Sequence, residues 1–219
     1  MPCPLCSPAI LRRQARANAD KDIKALAQNF IFANMVNLPY DPELSFELYP
    51  AIADQRAKAL ALSFTSGDTR ELLLSGPPGR GKSGLAKSAV YALQEQGVQV
   101  VWLPVAGYMT LCKWDMDEKK METNIRQIAK RVEVLVLDDL GVEGATEYTI
   151  RELIELLEYR HENGLRTFIT SNYTIKMLAV YWKIDKYAGI PGPGDRLLDR
   201  VRGWYTKHEI PATMPSMRN

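Results

Sequence analysis

The run Gly76-Pro77-Pro78-Gly79-Arg80-Gly81-Lys82-Ser83 constrains this chain more than any other feature, because it stands between a short apolar segment and a helical one. Glu71 to Ser75 holds three consecutive leucines and reads as a buried strand, and Gly84 to Leu93 reads as the helix that follows. A glycine-rich turn in that setting is a phosphate cradle. Gly76, Gly79 and Gly81 can take positive φ and let backbone N–H groups approach an anion. The helix starting near Lys82 aims the positive end of its dipole at the same point. Pro77, Pro78, Arg80 and Gly84 complete the loop. The expected ligand is ATP, with Lys82 neutralising the β- and γ-phosphates and the Ser83 hydroxyl serving as a ligand of Mg²⁺.

A second element agrees with the first. Val134-Leu135-Val136-Leu137-Asp138-Asp139 is an apolar strand ending in two carboxylates, a Walker B pattern. Adjacent acidic residues also form ordinary turns and caps. Their place about fifty residues after the phosphate loop favours Mg-ATP chemistry, which needs a carboxylate at the end of a neighbouring parallel strand. Asp138 is then expected to hold Mg²⁺, directly or through water, and Asp139 to orient or deprotonate the attacking water. A later strand, Thr167 to Ser171, is followed by Asn172, whose amide can reach a γ-phosphate or simply form a turn before Tyr173 and Thr174.

After the loop the chain alternates strands and helices, the pattern of a parallel sheet with right-handed crossovers. Five strands are predicted: Leu72–Ser75, Val98–Leu103, Val132–Asp138, Thr167–Ser171 and Lys207–Ile210. Between the third and fourth, Ile150, Leu153, Ile154 and Leu157 share a helical face that suits core packing. With 219 residues, 46% hydrophobic and 25% charged, one α/β domain over residues 41–219 can bury a sizeable core. No apolar run reaches the roughly eighteen residues of a membrane span, and no signal peptide is evident, so the expected location is cytoplasmic, away from membranes.

Residues 1–40 read as a helical appendage, from about residue 8 to 35. Ile23, Leu26, Ala27 and Phe30 lie on one face, and Arg12, Arg13, Arg16, Lys21 and Lys24 make it basic. A further helix is expected from about Pro50 to Ser66. Cys3 and Cys6 have the spacing of half a zinc site, but Cys112, His161 and His208 are too scattered to complete it, and two free thiols are the alternative. Tyr108, Lys113, Trp114, Lys119, Lys120, Arg126, Lys130 and Arg131 mix aromatics with cations, as a groove tracking single-stranded DNA would. The interleaved Asp115, Asp117, Glu118 and Glu122 suit a salt-bridged surface helix equally.

From Leu72 to Ile210 the chain resembles the AAA+ ATPases, above all helicase loaders of the DnaC/DnaI type within the IstB-like superfamily. The resemblance rests on the two motifs above, on Asp138-Asp139-Leu140-Gly141-Val142-Glu143, on Arg160-His161-Glu162-Asn163-Gly164-Leu165-Arg166-Thr167, on Thr170-Ser171-Asn172-Tyr173-Thr174 and on Asp195-Arg196-Leu197-Leu198-Asp199-Arg200-Val201. It implies a three-layer P-loop NTPase core with a five-stranded parallel sheet and a reduced or absent helical lid. Asn172 matches sensor 1, and Arg200, with Arg196 beside it, matches the arginine-finger region, supplied to a neighbouring copy in an ATP-dependent homo-oligomer. The implied function is loading a replicative hexameric helicase of the DnaB type onto single-stranded DNA, with residues 1–40 as the docking arm. Delivery of a transposase by an IstB-type helper is an alternative, and a nucleotide-gated adaptor without DNA function is another. Asp139 stands where many AAA+ members have glutamate, which suits slow turnover and a switch.

Overall fold

The computed structural model describes residues 44–117, 125–183 and 190–217, all within the unit that runs from Tyr40 to Asn219. The docking arm over residues 1–40, with Cys3 and Cys6, lies outside the described residues.

Apolar runs flanked by polar turns produce five strands: β1 (Glu71–Ser75), β2 (Val100–Pro104), β3 (Val134–Leu140), β4 (Arg166–Ser171) and β5 (Thr206–Glu209). They form one parallel sheet in the order β2-β3-β4-β1-β5. Leu72–Leu74 and Val134–Leu137 are wholly buried, which is why the inner strands are continuous apolar runs rather than alternating ones. β5 pairs only with β1 and is largely exposed.

The helices are α1 (Gln55–Ser66), α2 (Lys82–Glu95), α3 (Val105–Asp117), α4 (Ile125–Arg131), α5 (Glu147–Glu162), α6 (Ile175–Tyr181) and α7 (Pro193–Trp204). The crossover from β1 to β2 runs along the sheet opposite to all the others, so right-handedness sends α2 to one face, where α1 packs on it. The connections through α3, α4, α5 and α7 cover the other face, giving the expected three-layer α/β core.

Local chemistry moved several boundaries. Asp54 caps α1 by accepting from the Ala57 N–H at 2.9 Å, so residues 50–54 form a turn and the helix begins later than Pro50. Val132 closes α4 through its N–H to the Ile128 carbonyl at 2.9 Å instead of opening β3. Gly97, at φ 77°, turns the chain before β2, and Val98 N–H bonds back to Leu93, so Val98 is spent on ending α2. On α5 the buried face is Ile150, Leu153, Leu156 and Leu157, with Ile154 only half-buried.

Tyr108, Arg126 and Lys130 serve the fold. Tyr108 is fully buried and donates to Glu152 Oε1 at 2.9 Å, so its ring has no face open to a base. Arg126 Nε donates to the same oxygen at 2.9 Å, and Lys130 pairs with Glu155. The carboxylates that hold these three are thus on α5 rather than the interleaved acidic residues of the expected surface helix; the side chains of Lys113 and Trp114, with Lys119 and Lys120, lie outside the described residues. Among the described residues no helix is long and apolar enough to cross a membrane, and no group of three or more His, Cys, Asp and Glu side chains is arranged to hold a metal ion.

Arg160 is the largest polar commitment of the core. Fully buried, it donates to Thr167 Oγ1 at 2.9 Å and to the carbonyls of Ala129, Val132 and Arg166 at 2.8, 2.9 and 2.6 Å, tying α4, α5 and β4 together. Burial pulls its pKa down to about 10, which leaves it cationic at neutral pH. Arg160→Met strands those carbonyls without donors and is expected to cost on the order of 3 kcal/mol or more in urea-induced unfolding. Unchanged stability would mean that the carbonyls find other partners.

Candidate nucleotide site

Strand order brings the pieces together. β4 lies between β1 and β3, so the loop after β1, the carboxylates ending β3 and the amide after β4 meet at one edge of the sheet. Gly76, Gly79 and Gly81 have φ of 131°, 76° and 83°, as an anion-cradling turn requires. Gly76 could not be replaced without disruption, since a Cβ there would meet the Ile210 carbonyl oxygen at 2.5 Å.

Lys82 opens α2 and is 4% exposed. Its ammonium donates to the carbonyls of Gly76 and Pro77 at 2.8 and 2.9 Å and to Asn172 Oδ1 at 2.9 Å. The Asn172 amide Nδ2 in turn donates to Asp139 Oδ1 at 3.0 Å. Expected phosphate cation, γ-phosphate sensor and water-positioning carboxylate thus form a continuous hydrogen-bonded chain.

A second chain runs beside it. Ser83 Oγ donates to Asp138 Oδ1 at 2.8 Å, and Thr170 Oγ1 donates to the same oxygen at 2.6 Å while accepting from the Asp139 N–H at 3.0 Å. Hydroxyl and carboxylate are the hard oxygen donors that Mg²⁺ takes, so Ser83 and Asp138 fit the expected metal pair. Burial pushes the Asp138 carboxyl up; hydrogen bonds from Thr170 and Ser83 pull against that, and the adjacent Asp139 adds to the rise.

Asp139 is the non-glycine residue with positive φ, 59°, among the described residues. β3 advances from Leu137 to Leu140 while β4 advances only from Ile169 to Ser171, so the two carboxylates sit on a bulge. Aspartate tolerates left-handed backbone better than most side chains, which gives a conformational reason for it at this position.

A cavity of about 270 Å³ opens over this edge, lined by Gly79 to Gly84, Asp139 and Asn172, and on its other side by Leu44, Ser45, Leu48, Tyr49, Pro50, Ser88 and Met217. Arg196 and Arg200 do not line it. Both stand on α7, where Arg200 is held by Glu158 and lies 5.7 Å from the Trp204 ring centre. Arg196 is exposed and forms no ion pair among the described residues. The wall from Leu44 to Pro50 and the contribution of Met217 have no motif to announce them. Thr170 was visible only as part of the Thr170-Ser171-Asn172 segment.

The family described as IstB-like ATP binding protein matches residues 15–218, nearly the whole chain. The chain belongs to this family. An insertion-sequence ATP-binding protein of Sinorhizobium fredii is 29% identical over 133 residues, 58% of this chain and 43% of that protein, so the chain spans less than half the length of this relative. Among solved structures, DnaI superposes with a TM-score of 0.67 at 24% identity, covering 79% of this chain and 95% of that one. The DnaC helicase loader gives 0.62 at 24% identity, covering 78% and 98%. These likenesses show the P-loop fold shared with those proteins, and the family is one of ATP-binding proteins.

Lys82→Ala removes the cation at the centre of the site and is expected to weaken Mg-ATP binding about a hundredfold by calorimetry, the worth of a strong charge-assisted contact. Affinity within twofold of wild type would remove Lys82 from the phosphate site.

Proposed function

We propose that this chain is an ATP-driven switch that hydrolyses ATP slowly in an assembled state and, as part of an insertion sequence, delivers a transposase to target DNA. The observation that carries the switch is the continuous chain from Lys82 through Asn172 to Asp139. A γ-phosphate entering beside Lys82 competes for the ammonium, frees the Asn172 carbonyl oxygen and thereby changes what holds Asp139. Asp139 would then orient the lytic water, and Ser83 and Asp138 would hold Mg²⁺, which would supply charge neutralisation on the phosphates.

The transposition partner is supported by the family match along residues 15–218 and by the insertion-sequence relative. A second reading, loading of a DnaB-type helicase onto single-stranded DNA, is favoured by the shared fold with DnaC and DnaI over almost their entire length. In either reading residues 1–40 are the docking arm and the active state is a homo-oligomer. Its catalytic arginine comes from the adjoining copy: Arg196 is exposed and unpaired among the described residues, whereas Arg200 would have to leave Glu158.

Asp139→Asn is expected to keep ATP affinity within about threefold and to lower turnover by about a hundredfold or more. Turnover near wild type would assign the water to another residue. Fluorescence anisotropy with labelled duplex and single-stranded oligonucleotides, at fixed salt and with or without Mg-ATP, separates the partner readings. ATP-dependent duplex binding is the expected result. Binding confined to single strands would favour helicase loading, and no binding to either would leave a nucleotide-gated protein adaptor.

A further inference from the structure

Between Leu44 and Pro50 the chain makes a tight surface turn that is pinned at several points. Phe46 is buried, Tyr49 N–H bonds to the Phe46 carbonyl at 3.3 Å, and Ser88 Oγ on α2 donates to the Leu44 carbonyl at 2.6 Å. A Cβ on Gly84 would sit 3.6 Å from Leu44 Cδ2, so this turn lies directly over the start of α2. From the opposite side the segment after β5 returns across the phosphate loop: Arg80 Nη2 donates to the Ala212 carbonyl at 3.1 Å, and Met217 N–H to the Gly79 carbonyl at 2.6 Å.

The two segments converge on Gly81. A Cβ there would lie 3.3 Å from both the Tyr49 hydroxyl and Met217 Cγ. That hydroxyl is shielded from solvent and has no hydrogen-bond partner among the described residues, although Tyr49 lines the same cavity as Lys82, Asp139 and Asn172. An unpaired buried hydroxyl is destabilising, so this group gains from any ligand that supplies an acceptor. Burial, reinforced by Asp54, pushes it up to about 12, which keeps it protonated and able to donate at neutral pH. The Asp139 and Asn172 side of the cavity takes the γ-phosphate; the wall of Leu44, Leu48, Pro50 and Met217 is apolar, as a nucleobase requires.

We propose that Tyr49 is a nucleotide-recognition residue whose hydroxyl donates to an acceptor on the nucleoside half of ATP, with Leu44, Leu48, Pro50 and Met217 packing around that half. This assignment rests on the cavity being the ATP site and adds the determinant that distinguishes a nucleotide from a bare polyphosphate. Tyr49→Phe is the test, because it removes one oxygen and keeps the ring. Calorimetric titration is expected to show Mg-ATP binding weakened about tenfold in the variant, the effect of one hydrogen bond. Affinity for Mg-tripolyphosphate is expected to be equal in variant and wild type. Thermal unfolding without nucleotide is expected at or above the wild-type temperature, since the substitution removes an unpaired polar atom.

Equal ATP affinity in both proteins would overturn the assignment, as would an equal loss for tripolyphosphate, which would make the contact one to phosphate. A drop in nucleotide-free unfolding temperature matching the loss in affinity would reduce Tyr49 to a packing role. A wild-type protein that failed to bind ATP would overturn the nucleotide reading first, and this one only with it.

Discussion

A buried ammonium, that of Lys82, organises the whole site. Lys82 donates to two loop carbonyls and one amide oxygen, neutral acceptors that solvate its charge. Such a cation keeps a strong attraction for phosphate. Through Asn172 it is linked to Asp139, the amide standing between the ammonium and that carboxylate. The geometry in turn requires β4 between β1 and β3, because only that order places an amide within reach of both partners.

The two acidic residues are chemically alike but conformationally distinct. Asp138 is drawn toward Ser83 and Thr170 by hydrogen bonds, with burial raising its pKa. Asp139 occupies left-handed backbone on a bulge and accepts from Asn172 instead. A regular strand would send adjacent side chains to opposite faces. The bulge interrupts that alternation, so Asp138 meets Ser83 and Thr170 while Asp139 meets Asn172 at the same end of the sheet.

Much of this architecture could be read in advance, because its signals are local. The glycines at 76, 79 and 81, the leucines of β1 and the paired carboxylates after an apolar run declare their roles through backbone freedom and burial pattern. Less legible were features in which one residue could serve two neighbours: Val132 and Val98 are apolar enough for a strand, yet each is used to finish a helix. The mixed cations and aromatics between Tyr108 and Arg131 were ambiguous for the same reason. Their partners Glu152 and Glu155 lie on α5, beyond the reach of any spacing rule.

What residue order alone supplied is therefore the expected chemistry of the phosphate end: a cradle, a cation, a metal pair and a carboxylate, each suggested by its own short motif. Long-range packing supplied the rest. Tyr49, Met217 and Thr170 acquire their places because separate segments converge on Gly81 and Asp138. Arg200 likewise gains Glu158 from a different helix. A motif records what a few consecutive residues can do, whereas a pocket wall is made by segments far apart in the chain, and their juxtaposition is set by how the sheet and its helices bury one another.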